Sequence, residues 1–80
     1  NLAACYFFGD GVTQDRHEAA RLWQLAADQR HPNALHWLGI CYLQGQGVAK
    51  DVSRGRSLLQ TAAGYGVIAA RDLINKTGVD

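Results

Sequence analysis

Apolar residues in this chain recur at the spacings of amphipathic helices. One set follows the spacing i, i+4, i+7, i+8, which places its members on one helix face: Ala34, Leu38, Cys41 and Tyr42. A second set follows i, i+3, i+4, i+7, i+8 and predicts another helix: Ala19, Leu22, Trp23, Ala26 and Ala27. No stretch alternates apolar and polar residues for long enough to indicate a strand. The pattern predicts five helices, near residues 1–8, 16–29, 33–44, 52–64 and 67–76.

The pattern repeats itself after a shift of 36 residues. The stretch CYFFGDGVTQD at residues 5–15 matches CYLQGQGVAKD at residues 41–51. Matches continue into the next predicted helix, where Ala26 and Ala27 correspond to Ala62 and Ala63. A period of this length is typical of stacked repeats, in which each unit buries its apolar face against its neighbours. The predicted fold class is therefore all-α: an α/α superhelical solenoid of helix–turn–helix repeats with a 36-residue period.

A glycine-rich turn joins the two helices of each unit. In the second copy it reads Gly45-x-Gly47-Val48-x-x-Asp51, and the first copy supplies the equivalents Gly9, Gly11, Val12 and Asp15. Glycines suit a tight turn with positive φ, and aspartate is a good N-cap for the helix that follows. The valine is expected to fill the gap between the helices. A phosphate-binding loop is not favoured, because no Lys-Ser/Thr pair follows the glycines.

Composition narrows the classes of partner. The chain has 80 residues, of which 48% are apolar and 19% charged, and its formal net charge is +1. Such a balance does not favour nucleic-acid binding, which requires a basic surface. No apolar run approaches the roughly 18 residues of a membrane span, so membrane insertion is not expected. The length suits one small domain.

The cysteines and histidines do not form a recognisable reactive site. Cys5 and Cys41 occupy equivalent positions in successive repeats, where stacked helices lie about 8–10 Å apart. A disulfide requires Cα atoms closer than about 7 Å, so two free thiols are expected. His17, His31 and His36 lack the clustering of a metal site, and no Ser–His–Asp arrangement is present. We expect no catalytic residue, metal or cofactor; free thiols fit the cytoplasm and leave the periplasm open.

The combination of these residues closely resembles the Sel1-like repeat (SLR), a relative of the tetratricopeptide repeat. The second copy carries the pattern as Ala34, Leu38-Gly39, Tyr42, Gly45, Gly47-Val48, Asp51, Leu58-Leu59, Ala62-Ala63 and Gly66. The first copy carries Leu2, Tyr6, Gly9, Gly11-Val12, Asp15, Ala19, Leu22-Trp23 and Ala26-Ala27. The resemblance implies a right-handed α/α superhelix whose concave face binds other proteins. On this basis we divide the chain into a truncated first repeat (1–30), a complete repeat (31–66) and a C-terminal capping helix (67–80).

Three positions depart from the family pattern or qualify it. Arg30 stands where the family has glycine, and a left-handed backbone there would cost about 1 kcal/mol or more. Pro32 suits the first turn of the next helix, with His31 before it as a candidate cap. Gly55 replaces the usual alanine and is expected to weaken the fourth helix by up to about 1 kcal/mol.

The predicted function is that of a protein–protein interaction module, an adaptor or scaffold without catalysis. It would bind a partner protein or peptide on the concave face, which the first helices of the repeats line in this family. Four apolar residues lie on first-helix surfaces at positions that the family often leaves variable or polar: Phe7, Phe8, Leu43 and Trp37. The candidate binding residues are Trp37, His36, Leu43, Gln44, Phe8 and Arg71. Trp37 is the expected anchor, and His36, Gln44 and Arg71 the expected polar rim. The alternative for the apolar members is packing against neighbouring repeats.

Other functions remain open at this point. The chain could be an accessory or hydrolase-type (β-lactamase-like) secreted repeat protein, although the second cysteine per repeat of that branch is missing. It could also be a structural end-cap of a longer solenoid. Either a homodimer through the N-terminal end or a swap of helices is expected, because Leu2, Cys5 and Tyr6 would otherwise lie uncovered. The 36-residue spacing without inserts favours a bacterial origin.

Overall fold

The computed structural model describes residues 2–76, and the side chain of Lys76 and residues 77–80 of the predicted capping segment lie outside this description. Five helices follow one another: α1 (Leu2–Phe8), α2 (Arg16–Asp28), α3 (Pro32–Gln44), α4 (Val52–Gly64) and α5 (Ile68–Lys76). Each helix packs against the helices next to it in the chain. The described part of the chain contains no strand, and its helices begin and end within one or two residues of the predicted limits.

The two glycine-rich turns have the same backbone hydrogen bonds. In the first, the N–H of Asp10 donates to the carbonyl of Cys5 at 3.0 Å, and the N–H of Asp15 to that of Tyr6 at 2.8 Å. The same two bonds recur 36 residues later, each at 2.9 Å, from Gln46 to Cys41 and from Asp51 to Tyr42. The backbones of the two turns are therefore equivalent, which confirms the predicted repeat.

Aspartates cap α2 and α4, as predicted. Asp15 accepts a hydrogen bond from the N–H of Glu18, and Asp51 accepts one from the N–H of Arg54, both at 3.1 Å. Each cap satisfies a backbone donor at the helix start and is worth about 1 kcal/mol. The valines of the two turns differ: Val48 packs against the core, whereas Val12 is 37% exposed and does not fill a gap as expected.

The turn between α2 and α3 contains the unusual backbone that Arg30 suggested. Arg30 has a φ of 62°, in the left-handed region, where the equivalent Gly66 has 94°. The arginine therefore adopts a conformation that costs a non-glycine residue about 1–2 kcal/mol. His31 is the N-cap residue of α3, but its side chain makes no capping hydrogen bond, and Pro32 occupies the first turn.

Gly39 and Gly55 allow α3 and α4 to cross closely. A β-carbon placed on Gly55 would lie 2.7 Å from the carbonyl oxygen of Gly39, and one on Gly39 would lie 2.9 Å from that of Gly55. Both residues are buried. The sequence predicted only a weakened helix at Gly55; in the fold, the missing side chain is what permits this contact.

The core runs through the middle of the repeat stack. Its largest fully buried side chains come from the second, third and fourth helices: Trp23, Leu35, Leu38, Leu59 and Cys41. The central helix α3 contacts both α2 and α4, and only Asn33 and Gln44 in it are exposed. No helix among residues 2–76 is both long enough and apolar enough to span a bilayer.

Candidate functional site: the surface of the first helices

An aromatic cluster, formed by Phe7, Phe8, Trp23, His36 and Trp37, joins α1, α2 and α3. The indole of Trp37 stacks on that of Trp23, with ring centroids 5.5 Å apart and planes inclined by 9°. The ring of Phe8 meets Trp37 edge-on at 6.1 Å. Contacts of this kind add about 0.5–1.5 kcal/mol per pair beyond the burial of apolar area. Trp37 is therefore held between neighbouring helices and is only partly exposed.

The two phenylalanines of the cluster have different roles. Phe7 is buried, its ring centroid lies 5.4 Å from that of Trp23, and the guanidinium of Arg16 lies 5.0 Å above its face. Phe8 is 59% exposed and is the member of the cluster that faces solvent most openly. Phe7 is thus a core residue, whereas Phe8 retains the exposure expected of a binding residue.

His36 does not lie on an exposed polar rim, in contrast to the expectation from the sequence. It is only 8% exposed, and its ring centroid lies 5.2 Å from that of Trp37. Nε2 has no hydrogen-bond partner among the described residues. Burial lowers the pKa of this imidazole, because the charged form would be poorly solvated there. His36 is therefore a neutral, buried side chain at pH 7.

A recess of about 400 Å³, the α3–α5 cavity, lies between α3, the start of α4 and α5. Four of its lining residues are apolar and three are polar or cationic: Ile40, Leu43, Val52 and Leu73, with Gln44, Lys50 and Arg56. None of these lining residues is acidic. An apolar wall with a few polar groups at its edge is the usual composition of a binding pocket.

Two of the predicted binding residues meet in this cavity and the others do not. Leu43 and Gln44 line it, whereas Trp37 and Phe8 belong to the aromatic cluster. Arg71 lines a separate small recess of about 90 Å³ beside the α4–α5 turn. Sequence reasoning missed the remaining lining residues, although the 36-residue shift could have indicated them.

A further apolar recess, of about 330 Å³, borders the second helix α2 and the second glycine turn, and we call it the α2 recess. Leu25, which is 52% exposed, lines it together with Tyr42 and Val48. Arg21 also lines it, but the guanidinium is already bound to Glu18 through two hydrogen bonds. The α2 recess therefore offers apolar surface with a cation that is already paired.

Neither cysteine forms a disulfide, and Cys41 is buried. Cys5 and Cys41 are both free, as their equivalent positions predicted. Burial raises the pKa of the Cys41 thiol to about 11, so it is protonated at neutral pH and a poor nucleophile. Within residues 2–76, no group of three or more His, Cys, Asp or Glu side chains is arranged to hold a metal ion.

Comparison with known proteins identifies close structural relatives. The family model of the Sel1 repeat matches residues 1–31 and again residues 32–64. A Sel1 repeat protein from Oxalobacter formigenes is 31% identical and superposes with a TM-score of 0.89, over 94% of this chain and 56% of its own. A protective antigen of uropathogenic Escherichia coli strains, c5321, which displays an SLR fold, is 29% identical with a TM-score of 0.90, over 94% and 16% of the two chains.

A more distant relative shows the fold alone. Cysteine-rich protein B of Helicobacter pylori is 24% identical, with a TM-score of 0.83 over 90% of this chain and 54% of its own. The chain thus spans only part of the length of each of these three proteins. Together they confirm the predicted all-α repeat solenoid. The chain belongs to the Sel1 repeat family, whose members are helical repeat modules that typically mediate protein–protein interactions and are generally not enzymes.

Proposed function

We propose that this chain acts as an adaptor or scaffold that binds a partner protein or peptide through the surface of its first helices α1, α3 and α5. The expected concave face of the solenoid is this surface. The observation that carries the proposal is the α3–α5 cavity, an apolar recess between two successive first helices. Leu43 and Gln44, two residues selected from the sequence, line it.

The exposed ring of Phe8 extends the same surface toward α1. Its neighbour Trp37 is partly exposed and is held in place by Trp23. A rigid, partly exposed aromatic group is typical of hot spots in protein interfaces, because little conformational entropy is lost on binding. Trp37 would thus form part of the docking surface while it also supports the fold.

The proposed division of the chain gives α5 a second role. In the division 1–30, 31–66 and 67–80, α5 belongs to the capping segment, yet Leu73 of α5 also lines the cavity. We therefore propose that the capping helix completes the docking surface, since the recess would lose one wall without it.

A peptide library displayed on phage and selected against the whole chain tests this function and requires no assumption about the identity of the partner. Enriched peptides are then titrated into isotope-labelled protein, and chemical-shift changes are mapped by NMR. We expect the largest shifts at Leu43, Gln44 and Leu73. Shifts centred on Leu25 in the α2 recess, or a library without any enriched peptide that binds, would contradict the proposal.

A further inference from the structure

The α3–α5 cavity is the repeat equivalent of the aromatic cluster. Shifting the cluster by 36 residues replaces each of its five rings by a smaller side chain: Phe7 by Leu43, Phe8 by Gln44, Trp23 by Leu59, His36 by Asp72 and Trp37 by Leu73. The other residues that line the cavity, Ile40, Lys50, Val52 and Arg56, correspond to Ala4, Gln14, Arg16 and Ala20. Of these, Gln14 and Arg16 contact Phe7 of the cluster. The cavity is therefore the place that an indole fills one repeat earlier.

The backbone supports this equivalence. The N–H of His31 donates to the carbonyl of Ala26 at 3.2 Å before α3 begins, and the N–H of Val67 donates to that of Ala62 at 3.1 Å before α5 begins. The turn that connects α4 to α5, the helix of Leu73, therefore has the same backbone hydrogen bond as the turn that connects α2 to α3, the helix of Trp37. Leu73 consequently occupies the position equivalent to Trp37 with a smaller side chain, and it lines the open recess.

The charge of the residues that line this position also differs between the two repeats. Lys50 and Arg56 line the cavity in place of the neutral Gln14 and Ala20, while Val52 replaces Arg16, so the lining carries two cations where the first copy has one. Neither Lys50 nor Arg56 forms an ion pair with an acidic side chain in the described part of the molecule, where Arg21 pairs with Glu18. Two unpaired cations at the edge of an apolar recess attract carboxylates, because the positive potential there is not neutralised locally.

We propose that the α3–α5 cavity receives a large apolar side chain, typically an aromatic ring, from an acidic segment of the partner protein. The ring would take the place that Trp37 fills in the first copy, and flanking carboxylates would pair with Lys50 and Arg56. The inference rests on the proposed function and adds the chemical character of the partner.

The test uses short peptides as probes, titrated into the whole chain and followed by NMR, which detects weak binding. One peptide is rich in glutamate with a central tryptophan, a second has alanine in place of the tryptophan, and a third has lysine in place of the glutamates. We expect the first to bind at least about tenfold more tightly than either of the others. Equal affinity of the three peptides would overturn the inference.

Two protein variants separate the anchor from the charges. Leu73→Trp supplies an indole from the chain itself and should weaken binding of the first peptide by about tenfold or more, a change of about 1.4 kcal/mol. The double variant Lys50→Gln, Arg56→Ala gives these two positions the residues of the first repeat and should weaken binding by about three- to tenfold while flattening its salt dependence. The double variant Arg21→Ala, Arg30→Gly removes the same charge outside the cavity lining and should leave the affinity unchanged.

The outcomes distinguish this inference from the proposed function. If library-selected peptides bind the first-helix surface but tolerate Leu73→Trp and the neutral double variant, the inference is wrong and the proposed function stands. If no peptide binds that surface, both fail. If sedimentation shows a dimer that Leu73→Trp dissociates, a second copy of the chain occupies the cavity and the inference is again overturned.

Discussion

Gly55→Ala tests the closest helix contact in the fold. By helix propensity alone, replacing a glycine inside a helix by alanine would stabilise the protein by up to about 1 kcal/mol. In the fold, however, the new β-carbon would lie 2.7 Å from the carbonyl oxygen of Gly39 and 3.0 Å from the backbone nitrogen of Leu43. Both obstacles are backbone atoms of α3, which cannot rotate away as a side chain can. The helices must therefore move apart.

The expected magnitude follows from these opposing effects. Overpacking a well-packed contact costs about 1–3 kcal/mol, with rigid backbone obstacles favouring the upper part of that range. After the gain in propensity, we expect a net loss of about 1–2 kcal/mol in the free energy of unfolding. For a domain of this size, such a loss lowers Tm by about 5–15 °C.

The assay compares urea unfolding of Gly55→Ala, Gly64→Ala and the parent chain by far-UV circular dichroism. Gly64 lies at the end of the same helix, and a β-carbon there would meet nothing within 4 Å. Gly64→Ala should therefore stabilise the chain by about 0.4–1 kcal/mol. The two substitutions share their chemistry and their helix but are expected to differ in sign. A Gly55→Ala protein as stable as the parent would refute the close crossing of α3 and α4.

Four further predictions concern single side chains. Trp37→Ala should lower the free energy of unfolding by about 2–4 kcal/mol because it removes a stacked indole. Phe8→Ala should lower it by only about 1 kcal/mol, because that exposed ring loses only edge-on contacts with Phe7 and Trp37. Equal effects of the two substitutions in urea unfolding would show that the stacking is absent. Arg30→Gly should raise stability by about 1 kcal/mol by relieving the left-handed backbone, and a loss of stability would contradict that φ value. The pKa of His36 is lowered from 6.5 in the fold, so the unfolded state takes up a proton at this residue at a higher pH than the folded state, and the free energy of unfolding should fall as the pH drops below 6.5. His36→Leu should remove that part of the pH dependence. An unchanged pH profile of stability in this variant would argue against burial of His36. Leu2 is 57% exposed and lies at the N-terminal end through which the homodimer is predicted. Leu2→Asp should therefore shift the sedimentation profile toward the monomer. A parent chain that remains monomeric at high concentration would exclude that dimer.

Local signals explain why the helices and turns could be predicted. The caps at Asp15 and Asp51 and the positive-φ glycines act within a few residues of their own position, so the helix starts and turns that they form can be predicted from the local sequence. The 36-residue repeat then carries each assignment to its equivalent, as the matching hydrogen bonds of the two turns show.

Features that depend on contacts between distant residues could not be read in the same way. Gly55 looked like a weak helix residue because its partner Gly39 lies on another helix and the distance between their backbones is set by the crossing. His36 looked like a rim residue because polar side chains are usually exposed, but α3 is packed by α2 and α4 on both sides. In each case tertiary packing overrides the local preference.

The α3–α5 cavity could be predicted from the sequence only in part. Comparing only identical residues of the two repeats draws attention to Tyr42 and Gly45 and away from Leu73, which differs from its equivalent Trp37. The size difference at this pair is visible in the sequence, yet its consequence, an open recess rather than a rearranged core, requires the positions of Ile40 and Val52. Differences between repeats therefore indicate candidate binding positions that the matches do not.

The most direct measurement of the docking surface is an intermolecular nuclear Overhauser experiment on the whole chain with a library-selected peptide. We expect cross-peaks between an aromatic ring of the peptide and the methyl groups of Leu43 and Leu73, which line the α3–α5 cavity. Cross-peaks to Leu25 in the α2 recess, with none to Leu43 or Leu73, would contradict this expectation.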